Sequence, residues 1–220
     1  MNDELIRWSW VVDNSGEIFD RLLEHLQLTA IAVFFGLLIS FPLAIYAYRH
    51  RRAYAPITVV TGILYTIPSL ALFAFLLPYT GLTVMTAEIG LVSYTLLILI
   101  RNIVAGLQGV PPDARDAAIG MGYSPRQLLW RVELPLALPV ILAGIRLATV
   151  TTIGLVTVAA LIGRGGLGYF ILLGFDRSFT TASIVGAVLS LLVAVAVDAA
   201  LVGTERVLTP WTRKRSVRSA

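Results

Sequence analysis

Five apolar runs, at about 26–48, 57–78, 87–107, 135–161 and 181–201, leave this chain a single solvent in which to fold. Each matches the roughly 20 residues that a helix needs to cross the hydrocarbon of a bilayer. At that depth a helix satisfies its backbone donors and acceptors from within its own segment. The sequence therefore predicts an all-α integral membrane protein with five transmembrane helices. A chain of 220 residues that is 57% hydrophobic and 14% charged is excluded from the water-soluble classes. Pro42, Pro56, Pro68, Pro78 and Pro139, with Gly36, Gly62, Gly144 and Gly154, fall inside the runs. Such residues are tolerated in a bundle, where neighbouring helices or a water-filled path satisfy the freed backbone groups.

Charge sets the expected orientation, because loops rich in Lys and Arg stay on the cytoplasmic side. With the amino terminus outside, Arg49, Arg51, Arg52, Arg115, Arg126, Arg131, Arg206, Arg213, Lys214, Arg215 and Arg218 all lie inside. Only Arg7, Arg21, Arg164 and Arg177 lie outside, and Arg101 and Arg146 fall within spans. Three regions follow: an external amino-terminal segment at 1–24, a membrane domain at 25–206 and a basic cytoplasmic tail at 207–220. Met1-Asn2-Asp3-Glu4 lacks the basic start of a secretory signal. Trp8 and Trp10 suggest a segment at headgroup level, with Ile18, Leu22 and Leu26 on one helical face. The basic residues sit beside apolar runs, which points to anionic lipid rather than nucleic acid. The absence of cysteine removes disulfides, thiol nucleophiles and cysteine metal sites together.

One polar stretch, 111–134, interrupts this pattern on the cytoplasmic side. Pro111-Pro112 ends the third span and pre-sets a first helical turn, so a short helix is expected from about Asp113 to Met121. Gly122 stands where a left-handed cap is wanted. Ser124-Pro125-Arg126-Gln127 reads as a capping box, opening a second helix over about 125–132 that ends before Leu134-Pro135. Ala117 and Ala118 are small enough for the helix to sink into a partner's cleft, with Arg115, Asp116 and Arg126 placed to pair at its rim.

The spacing Asp116-Ala117-Ala118, three residues, Gly122, nine residues, Val132, one residue, Leu134-Pro135 resembles the cytoplasmic signature of binding-protein-dependent ABC importer permeases. That signature reads Glu-Ala-Ala, three residues, Gly, nine residues, Ile, one residue, Leu-Pro. Every gap matches, with Asp116 in place of glutamate and Val132 in place of isoleucine. Pro139-Val140-Ile141-Leu142-Ala143-Gly144-Ile145-Arg146, Ala159-Ala160-Leu161-Ile162-Gly163 and Gly165-Gly166-Leu167-Gly168 look like the branch that imports osmoprotectants: glycine betaine, carnitine or choline. The resemblance implies the type-1 permease fold and a pore of two permease subunits, the second identical or related. It also implies a pair of cytoplasmic ATPases seated on the signature loops, which make the interrupted stretch a coupling helix-turn-helix, and an external solute-binding protein. ATP and Mg would then belong to the ATPase, and this chain itself would carry no cofactor. Arg164 departs from the small residue that usually precedes the Gly-Gly pair. The only lysine, Lys214, lies between arginines, so no Gly-Lys-Ser/Thr phosphate loop is present.

Gly163, Gly165, Gly166 and Gly168, with Arg164, satisfy a dinucleotide-binding pattern but lack a βαβ setting. They read instead as a re-entrant turn beside the gate, with an ordinary external loop as the alternative. His25 and His50 have no partner at metal-ligand spacing. Ionised groups at the centre of a span cost about 2.5–3.5 kcal/mol on insertion scales. Arg101 and Asp198, at similar depth, are expected to pair and join the third and fifth spans. Arg146, nearer the middle, is either a pore or interface residue or a tie to backbone carbonyls. Tyr65, Phe73, Phe75 and Tyr94 are aromatic candidates for holding a cationic methylated amine, against a plain packing role. A permease for another small solute such as an amino acid, a stand-alone channel or carrier, and a membrane enzyme are the competing readings. For an enzyme the sequence offers no supporting constellation.

Overall fold

The computed structural model describes residues 6–211. Met1 to Glu4 and the tail cluster Arg213-Lys214-Arg215 with Arg218 lie outside these residues, and the readings placed on them go no further. The helices, in order, are α1 (Trp8–Asp13), α2 (Ser15–Arg49), α3 (Arg51–Thr66), α4 (Ser69–Thr80), α5 (Val84–Gln108), α6 (Pro112–Gly120), α7 (Pro125–Leu128), α8 (Leu134–Ala159), α9 (Gly168–Asp176) and α10 (Thr180–Leu208). A π-helical turn, Leu129–Glu133, joins α7 to α8, and a 3-10 turn, Ala160–Ile162, follows α8. Four helices are long and apolar enough to cross a membrane, or five if a bent pair counts as one span.

α5 is the axis of the bundle. Leu91, Leu99, Ile100, Ile103 and Leu107 are fully enclosed along it, with α2 on one side and α8 on the other. The reason is local chemistry. α2 buries Leu28, Ala32, Gly36, Ser40, Ala44 and Ala47, mostly small residues one turn apart. Small side chains let backbones approach closely, which is how helices bind each other where lipid is as apolar as the protein. A Cβ on Gly36 would lie 1.9 Å from Thr95 Oγ1. The same device recurs across α5 and α8, where a Cβ on Gly144 would lie 2.3 Å from Asn102 Cβ.

Three elements depart from the sequence reading. The run at 57–78 is not one continuous helix: α3 and α4 meet at 93°. Pro68 disfavours the helical region for the residue before it, and Ile67 is extended at φ −63, ψ 128. The carbonyl freed by that break is met by the buried Tyr94 hydroxyl, which donates to Ile67 O. The second helix of the polar stretch does not end at residue 132. Instead Pro125 to Ile162 form one 38-residue helical run, passing into the bilayer stretch through the π turn. Finally, α2 runs unbroken through residues 24 and 25 for 35 residues, about 52 Å at 1.5 Å per residue, so its first turns extend beyond a hydrocarbon core of roughly 30 Å. α1 turns back onto the bundle. Trp10 packs edge-on against Phe170 and Phe179 at 5.9 and 5.2 Å, while Trp8 stays exposed.

Candidate functional site: the coupling module and the charged helix contacts

The polar stretch folds through its own local signals. Pro111 is extended and Pro112 starts α6, where a missing amide hydrogen costs nothing. Gly122 adopts φ +82; its N–H donates to Ile119 O and the next N–H, of Tyr123, to Ala118 O. These two bonds are a Schellman cap, and they require the left-handed residue that glycine supplies. Ser124 then opens α7 with both bonds of the capping box: Gln127 N–H donates to Ser124 Oγ at 3.4 Å, and Ser124 N–H to Gln127 Oε1 at 2.8 Å. The angle between α6 and the next helical run is thereby fixed within the module itself.

Its attachment to the bundle rests on Arg115. Arg115 Nε donates to Glu133 Oε1 at 2.9 Å; Nη2 donates to the Tyr48 hydroxyl at 3.0 Å and to Leu107 O at 2.6 Å. Tyr48 donates in turn to Glu133 Oε1 at 2.6 Å. Leu107 O belongs to the last turn of α5, the negative end of the helix, which attracts a cation. One guanidinium thus ties α6 to α2, α5 and the π turn. This corrects the expectation that Arg115 pairs at the rim of a partner: it points inward, because Glu133, only 5% exposed, needs a cation. Ala118 is likewise buried against the chain itself, at 1% exposure. The outward face of the module is Asp116, Ala117, Ile119, Met121 and Arg126, all exposed. Leu134 and Pro135 form the half-buried first turn of α8.

Sequence reasoning missed Glu133 and Tyr48. A signal for the first was present, since an acidic residue between Val132 and Leu134 at the entry to an apolar run demands a partner.

Among the intramembrane charges the expected Arg101–Asp198 pair is replaced by another. Asp198 is held by Arg146 through two bonds, Nε to Oδ1 at 3.0 Å and Nη2 to Oδ2 at 3.1 Å, and Arg146 Nη1 also reaches Glu205 at 3.2 Å. Asp198 and Glu205 stand seven residues apart, two turns on one face of α10, and Arg146 of α8 lies between them. The tie therefore joins the fourth and fifth spans, not the third and fifth. Arg101 is exposed and makes no ion pair among the described residues.

The glycine turn is packed more closely than a lining loop. A Cβ on Gly165 would lie 2.1 Å from Ala160 N, on Gly166 2.6 Å from His25 Cβ, and on Gly168 2.3 Å from Thr157 O. Gly163 and Arg164 remain exposed. His25 is enclosed at this contact and its Nε2 bonds Ile153 O at 3.1 Å. The aromatic candidates are dispersed: Tyr65 meets Tyr94 edge-on at 5.9 Å, Phe73 is fully buried against Gly90, and Phe75 is exposed beside Tyr79. Within one chain they form no aromatic cage.

Known proteins share this architecture. Residues 32–208 match the family model described as "binding-protein-dependent transport system inner membrane component". The choline transport system permease protein OpuBB of Bacillus subtilis is 38% identical over 92% of this chain and 93% of its own length. The osmoprotectant import permease protein OsmW of Salmonella typhimurium is 38% identical over 91% and 96%. Among solved structures, the MetNI methionine ABC transporter in an inward-facing conformation superposes with a TM-score of 0.78 at 22% identity, over 89% of this chain and 97% of that one; the likeness carries the fold. With the signature spacing borne on a capped module beneath a bundle of this shape, the chain belongs to the binding-protein-dependent transport system inner membrane component family.

Proposed function

We propose that this chain is the pore-forming permease subunit of an ATP-driven importer for a quaternary-ammonium osmoprotectant: choline, glycine betaine or carnitine. The family supplies the coarse statement, a membrane transport component working with an ATPase and a solute-binding protein. The finer reading is supported by similarity to choline and osmoprotectant permeases across more than nine-tenths of the chain. The observation that carries the mechanism is the outward face of α6. Asp116, Ala117 and Ile119, with Met121 at the cap, project away from the bundle, while Arg115 of α6 is bonded into it. A motor subunit seated on that face moves α6, and the Arg115 tie transmits the displacement to the ends of α2 and α5 and to the foot of α8.

In this reading the amino terminus is external and α6 cytoplasmic, ATP and Mg bind the partner ATPase pair, and a second permease, identical or related, completes the pore. Alternating access then exposes the path to either side in turn. The test is uptake of radiolabelled choline, betaine and carnitine by the assembly in vesicles, with amino acids as competitors. Uptake that depends on ATP and is blocked by the other methylated amines supports the reading. Competition by an amino acid alone overturns the solute, and flux without the ATPase overturns the mechanism.

A further inference from the structure

A polar cavity of about 550 Å3 lies behind the coupling module, lined by Ala47, Tyr48, Arg51, Tyr54, Gln108 and Arg115. Its size falls in the range of small-ligand sites, roughly 300–1,000 Å3. It sits where the apolar runs of α2 and α5 end and α3 begins, the level at which lipid headgroups lie.

Its charge is not balanced from within. Glu133 is matched by Arg115, which uses Nε and Nη2 and leaves Nη1 without a bond among the described residues. Arg51 makes no ion pair among the described residues. The acidic residues of α6, Asp113 and Asp116, are absent from the lining. Arg51 also opens the 16-residue α3, whose first turn has no side-chain cap; although Ala53 N–H is taken by His50 O, the positive end of the helix favours an anion. The donors facing the cavity, guanidinium, phenol and amide, suit a phosphate oxygen, and the rings of Tyr48 and Tyr54 suit the amphipathic headgroup level.

We propose that this cavity holds the phosphodiester headgroup of an anionic phospholipid from the leaflet on the side of the coupling module. The lipid then contacts the same guanidinium that ties α6 to the bundle, so the joint is built partly from membrane. A partner ATPase fits less well here, because the seat offered by Asp116 and Ala117 faces away from Arg115.

The inference rests on the cytoplasmic placement of α6, and its readout is separate from docking. The permease–ATPase assembly is placed in nanodiscs of phosphatidylglycerol or of phosphatidylcholine, extracted, and weighed by native mass spectrometry. A retained phosphatidylglycerol on each copy of the chain is expected, with retention reduced about fivefold in R51Q, the worth of one arginine near an anionic surface. Y54F should lower retention to a lesser degree, and R52Q, outside the cavity lining, should leave it unchanged. Equal loss in R52Q, or equal retention of phosphatidylcholine, overturns the site. Displacement of the lipid by inorganic phosphate assigns the cavity to a soluble anion and overturns the lipid assignment. Loss of the ATPase in R51Q with lipid retention intact makes the cavity part of the partner's seat, which also overturns it. Failure of the ATPase to accompany the wild-type chain counts against the docking reading alone.

Discussion

Arg146 shows how a charge in an apolar span is accommodated. Its guanidinium takes both oxygens of Asp198 and one of Glu205, a planar fork matched to carboxylates in a way that lysine cannot reproduce. A double-mutant cycle on thermal unfolding in detergent should therefore find R146Q and D198N strongly non-additive. R101Q and D198N should add, because residues without a shared partner usually do. Coupling in the second pair with none in the first would restore the pairing expected from depth alone. The glycines give a second residue-scale contrast. Ala at Gly163 meets no atom within 4 Å and adds only the strain of φ +77, about 1–2 kcal/mol. Ala at Gly166 also meets the α2 backbone at His25, 2.7 Å away, and overpacking adds about 1–3 kcal/mol. G166A should thus lower the yield of folded protein well below G163A, as read by size-exclusion chromatography. What the sequence revealed at this scale was local: Ser124 and Gln127 lie three residues apart and announce their bonds, whereas the partner of Asp198 lies 52 residues away. Depth counting failed there because it places only backbone positions along each helix, whereas the long Arg146 side chain reaches both Asp198 and Glu205, two turns apart on α10.

At the scale of elements, the π turn makes the module a continuation of α8. π turns are rare and occur mostly at functional positions within α-helices; this one carries Glu133 at its end. If the Arg115–Glu133 tie transmits motion, E133Q should leave the ATPase bound yet slow transport about tenfold or more, since a hydrogen bond to a buried charge is worth about 1.5–3 kcal/mol. A117W, on the outward face of α6, should do the opposite and prevent the ATPase from co-purifying. Co-purification and vesicle uptake measured on the same preparations separate the two effects. Equal transport in E133Q and wild type would show that force enters by another route. The tie was illegible in the sequence because its members come from positions 48, 107, 115 and 133, four elements that only the folded bundle brings together. The α3–α4 bend was half legible. Pro68 was visible as an interruption, but the hydroxyl that stabilises the break belongs to Tyr94, 27 residues beyond Ile67.

For the molecule as a whole, the apolar runs and the uneven distribution of arginine determined both the class and the expected orientation, because bilayer thickness and translocation act on composition rather than on contacts. The order of packing did not follow from either. That α5 lies innermost depends on small residues of α2 and α8 allowing it to be approached from two sides. Orientation remains the claim on which force entry depends, and the absence of cysteine makes it directly measurable. Single cysteines at Asp113, exposed on α6, and at Asp176, exposed at the end of α9, add one reactive thiol each to a chain that has no others. With a membrane-impermeant maleimide on intact cells, D176C should label at once and D113C only after the membrane is opened. The reverse pattern would place the arginine-rich loops outside, against the energetics of basic-loop translocation. It would also remove any contact between α6 and a cytoplasmic motor. Labelling of both before opening would mean that α8, the single span between the two positions, does not complete a crossing. In that case the parity of spans, and with it the position of the carboxyl terminus, changes.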